Sequence, residues 1–351
     1  MAKNCIGLDI GSSSIKIVQV KEGKKGLTLL NFGIEPIPPQ AIVDGAVMNQ
    51  SAIVDAIRAV VTRLHVRQKD VALAVAGHSI IIKKIPIPPM PADQLDEQIS
   101  WEADHHVPFD KEDVELDYEV LREDNGQGNM DVLLVAAKKD MVHDYAAVAR
   151  EAQLNPLVVD IAAFAIQNAF EKSYGFPAGQ AIALVNLGAS ISTLNIVQDG
   201  ITMFTRDVTI GGNAFTEEIQ KQLHVGYEEA EAYKVGSGAL GGGDVVPQEV
   251  GRVLAQVSDL IAGELQRSID FFLATTAGAE VERLYLGGGT AQVPQLRQAI
   301  ERRAHLDVEV LDPFRNVFVD ESRFDMPYLR AHSPIATVAF GLALRRPGDN
   351  L

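Results

Sequence analysis

The residues best suited to chemistry lie in two short turns. LDIGSSSIKIVQV starts at Leu8 and LVNLGASISTLNIV at Leu184. In the first, Asp9 stands near a strand end, Gly11 opens the turn, Ser12, Ser13 and Ser14 follow, and Lys16 lies in the next strand. A glycine at a hairpin tip lets the backbone approach a ligand, and consecutive N–H groups form a nest for an anion. The serine hydroxyls add donors for phosphate oxygens. Lys16 adds a point charge. Asp9 can hold a water on Mg2+, an ion that takes few carboxylates and keeps several waters. The second turn repeats the arrangement at an offset of 186 − 9 = 177 positions. Asn186 matches Asp9, Gly188 matches Gly11, and Ser190 follows Ala189 to match Ser13. Two such units half a chain apart predict two lobes of related topology with a ligand between them.

Three further pieces extend the pattern. LYLGGGT is a strand running into Gly287, Gly288 and Gly289. Side chains there would obstruct a flat ring, so the glycines leave room for a base. Gly211, Gly212 and Asn213 lead into a helix. Glu231 and Lys234, three apart, share one helix face and could grip a ribose or a phosphate.

Strand and helix patterns alternate throughout, which predicts an α/β fold. CIGLDI and IKIVQV form a hairpin, 51–65 a helix with one apolar face, and VALAVAG (71–77) a buried strand. Residues 79–153 read as a small insert. It has a strand at 80–85, a proline break at 86–91 and a helix capped by Asp93 to about His105. Strands at 115–121 and 130–138 follow, then a helix capped by Asp140 to Ala152. A helix follows from Ala162 to Lys172. The second series runs from AIALVNL (181–187) through helices at 213–223, 227–235 and 247–275, the strand 282–288 and a helix after Pro294. SPIATVAFGLALRR is apolar nearly all round and suits a buried closing helix.

Composition sets limits. Of 351 residues, 47% are hydrophobic and 22% charged, so a sizeable core is available. The net charge of −16 argues against nucleic acid and against direct docking on anionic lipid. A single cysteine, Cys5, excludes an internal disulfide and suits a reducing compartment, where it serves as a small buried residue. No leader pattern is visible, and Ile335 to Leu344 is too short to span a bilayer. The expectation is a cytoplasmic, soluble chain.

In this order the five pieces resemble the superfamily of actin, the heat-shock chaperones and the sugar kinases, a two-lobed actin-like ATPase (ribonuclease H-like) fold. The resemblance covers nearly the whole chain and implies ATP and Mg2+ as ligands. It makes the first hairpin and the Asn186 hairpin the two phosphate motifs and the GGGT strand the adenosine motif. GG-x-x-F-T-x-x-I (211–219) and E-x-x-K look like the versions that flank adenosine. The insert lies early in the first lobe, as subdomain 1C does in the cell-division protein FtsA. Its sequence KKIPIPPMPADQLDEQISWEADHHVPF resembles that of the type IV pilus assembly PilM family. This implies an ATP-binding scaffold for twitching motility that binds the cytoplasmic tail of the inner-membrane protein PilN. The tail would lie in a groove between lobe 1 and the insert. The scaffold would meet the PilN–PilO–PilP complex and pilus motor ATPases, and the membrane only through partners. Lobe 1 is then expected at 1–180, rejoined by 331–351, and lobe 2 at 181–330.

Active ATPases of the superfamily usually start the second phosphate motif with Asp. Asn186 brings no negative charge and cannot act as a base. No water-orienting Glu, Gln or His stands out near Asp160–Gln167, so binding is expected with at most slow hydrolysis. Two other classes stay open. An FtsA-like membrane tether would need an amphipathic C-terminal helix, for which RRPGDNL is too short. A small-molecule kinase would need a catalytic Asp and a substrate pocket. GSGALG (236–241) follows a helix, not a strand, and reads as a flexible loop. The adjacent His105 and His106 read as a helix end, Asp110–Asp117 as a solvated surface, and Trp101 as core packing or a groove wall.

Overall fold

The computed structural model describes residues 4–24, 26–236, 248–276 and 278–348. The first hairpin is β1 (Ile6–Ile10) and β2 (Ser14–Gly23), with Asp9 directly opposite Lys16. β3 (Gly26–Pro36) pairs antiparallel with β2. Two-residue strands β4 (Ile42–Val43) and β5 (Ala46–Val47) pair with each other. α1 (Gln50–Arg63) follows, started by the Asn49 side chain accepting from the Ala52 N–H. Its Ile53, Val54, Ile57 and Val60 join the first core. β6 (Asp70–Val75) lies parallel to β1.

The insert is β7 (Ile80–Ile87), α2 (Ala92–His106), β8 (Val114–Arg122) and β9 (Met130–Lys138). Its three strands form an antiparallel sheet in the order β7-β9-β8. Leu95, Ile99 and Ala103 of α2 close a separate core over it. β7 continues through Pro86, and α2 starts after extended Pro91, with Asp93 inside the first turn, not at the cap. α3 (Lys139–Glu151) likewise starts from extended Lys138, so Asp140 is not its cap. α3 buries Met141, Tyr145, Val148 and Ala149 in the first lobe's core. The insert's own sheet ends at Lys138, and α3 leads back into the first lobe. Lys138 donates its N–H to the Ser79 carbonyl at 3.0 Å, so its two ends lie side by side.

β10 (Asn155–Ile161) and α4 (Ala162–Ser173) complete the first lobe's run. The second lobe holds β11 (Ala181–Leu187), β12 (Ser192–Gln198), β13 (Ile201–Val208), α5 (Gly212–Leu223), α6 (Tyr227–Lys234) and α7 (Gln248–Thr275). β14 (Val281–Gly287), α8 (Pro294–Ala304) and β15 (Asp307–Val310) follow. β16 (Val317–Phe318) then joins β3, so the chain re-enters the first sheet well before 331. α9 (Met326–His332), a 3-10 turn (Ser333–Ala336) and the wholly buried α10 (Thr337–Leu342) end the fold. The closing segment is thus broken in two, because Pro334 cannot donate into a continuous helix.

The sheet orders are β10-β6-β1-β2-β3-β16 and β13-β12-β11-β14-β15. Without β16, the first reads β3-β2-β1-β6-β10 and matches the second strand for strand in order. Directions match too: two antiparallel pairs, then two parallel pairs, in each. The two halves share one topology.

Candidate functional site

The duplication extends to individual hydrogen bonds. In the first turn the Gly11 N–H donates to the Ser14 carbonyl at 3.2 Å; in the second the Gly188 N–H donates to the Ile191 carbonyl at 3.1 Å. Asp9 faces Lys16 across β1–β2, and Asn186 faces Thr193 across β11–β12. These tight turns point their middle residues outward. Among the described residues, Ser12, Ser13, Ala189 and Ser190 donate no backbone hydrogen bond within the chain, so four N–H groups remain for a ligand.

Both turns line one cleft of about 420 Å³ between the lobes. It is reached by Asp9, Gly11, Ser12, Ser13, Ser14 and Lys16 from lobe 1. Lobe 2 contributes Asn186, Gly188, Ala189, Ser190, Gly212, Glu231, Lys234, Gly288 and Gly289. Gly211, Asn213 and Gly287 stand behind this wall. The Gly212 N–H bonds the Gly188 carbonyl at 2.9 Å and the Asn213 N–H the Ala189 carbonyl at 2.8 Å. Asn213 Nδ2 donates to Ser190 Oγ at 3.0 Å. These residues shape the second turn from behind. Gly287 packs on Thr337.

Charge in the cleft is paired. Lys16 Nζ lies 3.2 Å from Asp9 Oδ2, both largely buried. Lys234 Nζ lies 2.5 Å from Glu231 Oε1 and 3.0 Å from Thr216 Oγ1, and Thr216 also donates to Glu231. The pair fixes α6 against α5. Gly288 has φ of +87°, a conformation L side chains rarely adopt, and a Cβ there would overlap the Leu187 carbonyl.

Several cleft residues were not legible in the sequence. Tyr145 comes from α3, Thr290, Gln292 and Val293 follow the glycine strand, and His332 and Ile335 come from the C-terminal return. Thr290 Oγ1 bonds the Gly188 carbonyl at 2.8 Å, tying the glycine-rich strand end to the second turn. Burial, more than the nearby Asp9 carboxylate, pushes the Tyr145 phenol well above its ordinary range, so it stays a neutral hydroxyl.

Residues near the expected water-orienting position are committed elsewhere. Asp160 is buried against Arg345 Nε at 2.7 Å. Gln167 donates to the Gly200 carbonyl at 2.9 Å and accepts from Asn195 and Thr202 at 3.0 and 2.7 Å. Among the described residues, no cluster of three His, Cys, Asp or Glu side chains could hold a metal alone. No helix there is long and apolar enough to cross a membrane. His105 bonds the Trp101 carbonyl and His106 faces Glu102, so the adjacent histidines have separate partners. Trp101 is 64% exposed and is not core. Of the loop 236–241, only Gly236 is within the described residues.

The sequence model described as type IV pilus assembly protein PilM matches residues 7–347. The chain belongs to that family. A solved PilM–PilN type IV pilus biogenesis complex resembles this PilM-family chain with a TM-score of 0.86 and 26% identity, covering 98% of each chain. The cell division protein FtsA of Streptococcus pneumoniae is 20% identical, covering 86% of this chain and 68% of its own length. MreB 5 of Spiroplasma citri, solved with AMPPNP, matches with a TM-score of 0.53 at 12% identity, covering 97% of this chain and 95% of its own. The PilM-family chain therefore has the two-lobed actin-like ATPase fold expected from its motifs.

Proposed function

We propose that this chain is an ATP-binding scaffold of the type IV pilus machine, placed at the cytoplasmic face of the inner membrane by its partner. The observation that carries the nucleotide reading is the pair of equivalent turns facing one cleft with four uncommitted N–H groups. These donors, the serine hydroxyls and Lys16 fit a triphosphate. A triphosphate would draw Lys16 away from Asp9, and Asp9 would then hold Mg2+ through water. The ion supplies charge neutralisation between the phosphates. Glu231 and Lys234 would meet the ribose, and Gly288 and Gly289 the adenosine. Hydrolysis is slow at most, because Asn186 lacks a carboxylate and Asp160 and Gln167 are held in other bonds. The test is calorimetry. Asp9→Ala should weaken Mg·ATP binding at least about tenfold, the order expected for losing a charged contact. Unchanged affinity defeats the assignment.

The partner reading rests on family membership and on the similar chain solved as a PilM–PilN complex. The cytoplasmic tail of PilN would lie as an extended peptide in the groove between lobe 1 and the insert, where main-chain bonds give affinity. PilO, PilP and the pilus motor ATPases would be reached from there. Because Ser79 and Lys138 are adjacent, a short linker can replace residues 80–137; Leu133 and Val135 of β9 also pack in the lobe 1 core, so the variant is first shown to be folded by circular dichroism. That variant should keep Mg·ATP binding and lose a PilN tail peptide; retained peptide binding moves the groove elsewhere.

A further inference from the structure

Two buried hydroxyls that line the cleft have no partner within the chain. Tyr145 is 5% exposed and Thr193 3%, and among the described residues neither side-chain hydroxyl makes a hydrogen bond. A buried hydroxyl needs a partner, and these two can find one only in the space they line. Tyr145 enters from α3 of lobe 1, and Thr193 from β12 of lobe 2. Apart from the first turn, the lobe 1 wall around Tyr145 is apolar: Ile42, Gly45, residues 74–76 and Ala162. Burial keeps the phenol protonated, and the Asp9 carboxylate acts in the same direction, so Tyr145 meets an anion as a donor. Position along the cleft decides which part of a ligand they meet. β12 and β14 flank β11 on opposite sides, so Thr193 lies to one side of the second turn and Gly288 and Gly289 to the other. Thr193 and Ala76, just beyond β6, also line a smaller cavity together. Thr193 therefore stands on the β6 side of the cleft, the side on which α3 packs.

Resting on the nucleotide reading above, we propose that the Tyr145 and Thr193 hydroxyls, one from each lobe, hold the terminal phosphate and make the cleft distinguish a nucleoside triphosphate from a diphosphate. With the base on the glycine side, a chain of three phosphates passing between the two turns ends on the side of these hydroxyls. Each donates to a phosphate oxygen, a charged acceptor for which the bond is stronger than to a neutral one. A diphosphate is one group shorter and leaves both hydroxyls unpaired, so it gains nothing from them.

The test is calorimetry of Mg·AMPPNP, which keeps its third phosphate, and Mg·ADP on the full chain, on Tyr145→Phe and on Thr193→Val. The thermal midpoint of each is measured without nucleotide. Phenylalanine keeps the ring that packs in the lobe 1 core, and valine keeps the branched shape. Each variant should weaken Mg·AMPPNP about tenfold, the order for one hydrogen bond to a charged group. Mg·ADP should stay within about twofold of wild type. The nucleotide-free midpoint should not fall below that of wild type, because the hydroxyl removed had no partner in the chain. Unchanged Mg·AMPPNP binding in either variant overturns the proposal, as does equal weakening of both nucleotides. A clearly lowered midpoint also overturns it, since that is the mark of a structural hydroxyl. A wild type that binds neither nucleotide defeats the nucleotide reading itself.

Discussion

At the scale of single residues, the two cleft-lining turns were legible because each is written in one contiguous stretch. Asp9 to Lys16 and Asn186 to Ser190 are local turns, and a turn's hydrogen bonds follow from its own sequence. The remaining wall was not legible. Tyr145, Gln292 and His332 reach the cleft from helices and turns far apart in the chain, and no spacing rule links them to the hairpins. Asp160 is a related case. In the sequence it falls where the superfamily often places its water-orienting residue; in the fold it is the buried partner of Arg345. Removing one member of a buried pair leaves an uncompensated charge, at a cost of about 3–5 kcal/mol. Arg345→Met should therefore lower stability by that order in urea titration. The double variant with Asp160→Asn should recover part of it. A single variant within about 1 kcal/mol of wild type would show that the pair contributes little.

At the scale of elements, long periodic segments were legible, whereas which core each one joins was not. α1, α4, α5 and α7 announce themselves by apolar spacing. β3 mixes apolar and polar residues without clean alternation, and β16 is only two residues long, so neither gives a signal. The helix α3 has an apolar face that periodicity can detect, but periodicity cannot say which core receives it; the structure gives it to lobe 1. The closing helix α10 packs closer than an apolar pattern suggests. A Cβ on Gly341 would overlap the Ala165 carbonyl of α4, and one on Gly7 would overlap the Ala339 carbonyl of α10. Backbone here lies on backbone. Gly341→Val should cost about 3 kcal/mol or more through overpacking, read as a lower thermal midpoint or loss of folded yield. A variant with the wild-type midpoint would contradict the packing.

At the scale of the whole molecule, the lobes touch where a nucleotide would report. Gly77, with φ of +112°, lies just before the insert and donates its N–H to Asp207 Oδ2 of β13 at 2.5 Å. Asp207 pairs across the sheet with Thr193, which lines the cleft. Ile191 of the second turn packs on Gly77. This contact bridges the lobes beside the cleft mouth, so Asp207→Ala should favour opening and speed release of a fluorescent ATP analogue several-fold, about what one lost hydrogen bond allows. An unchanged release rate would remove the contact from any role in closure. Two halves of one topology, each offering an equivalent turn, make the cleft a symmetric clamp, and that is the claim on which the functional reading stands. The most direct measurement is a crystal structure of the chain grown with a Mg·ATP analogue. The account predicts triphosphate density bridging residues 11–14 and 188–190, with the base beside Gly288 and Gly289. Density for the nucleotide outside that cleft, or a cleft left empty at saturating ligand, would contradict it.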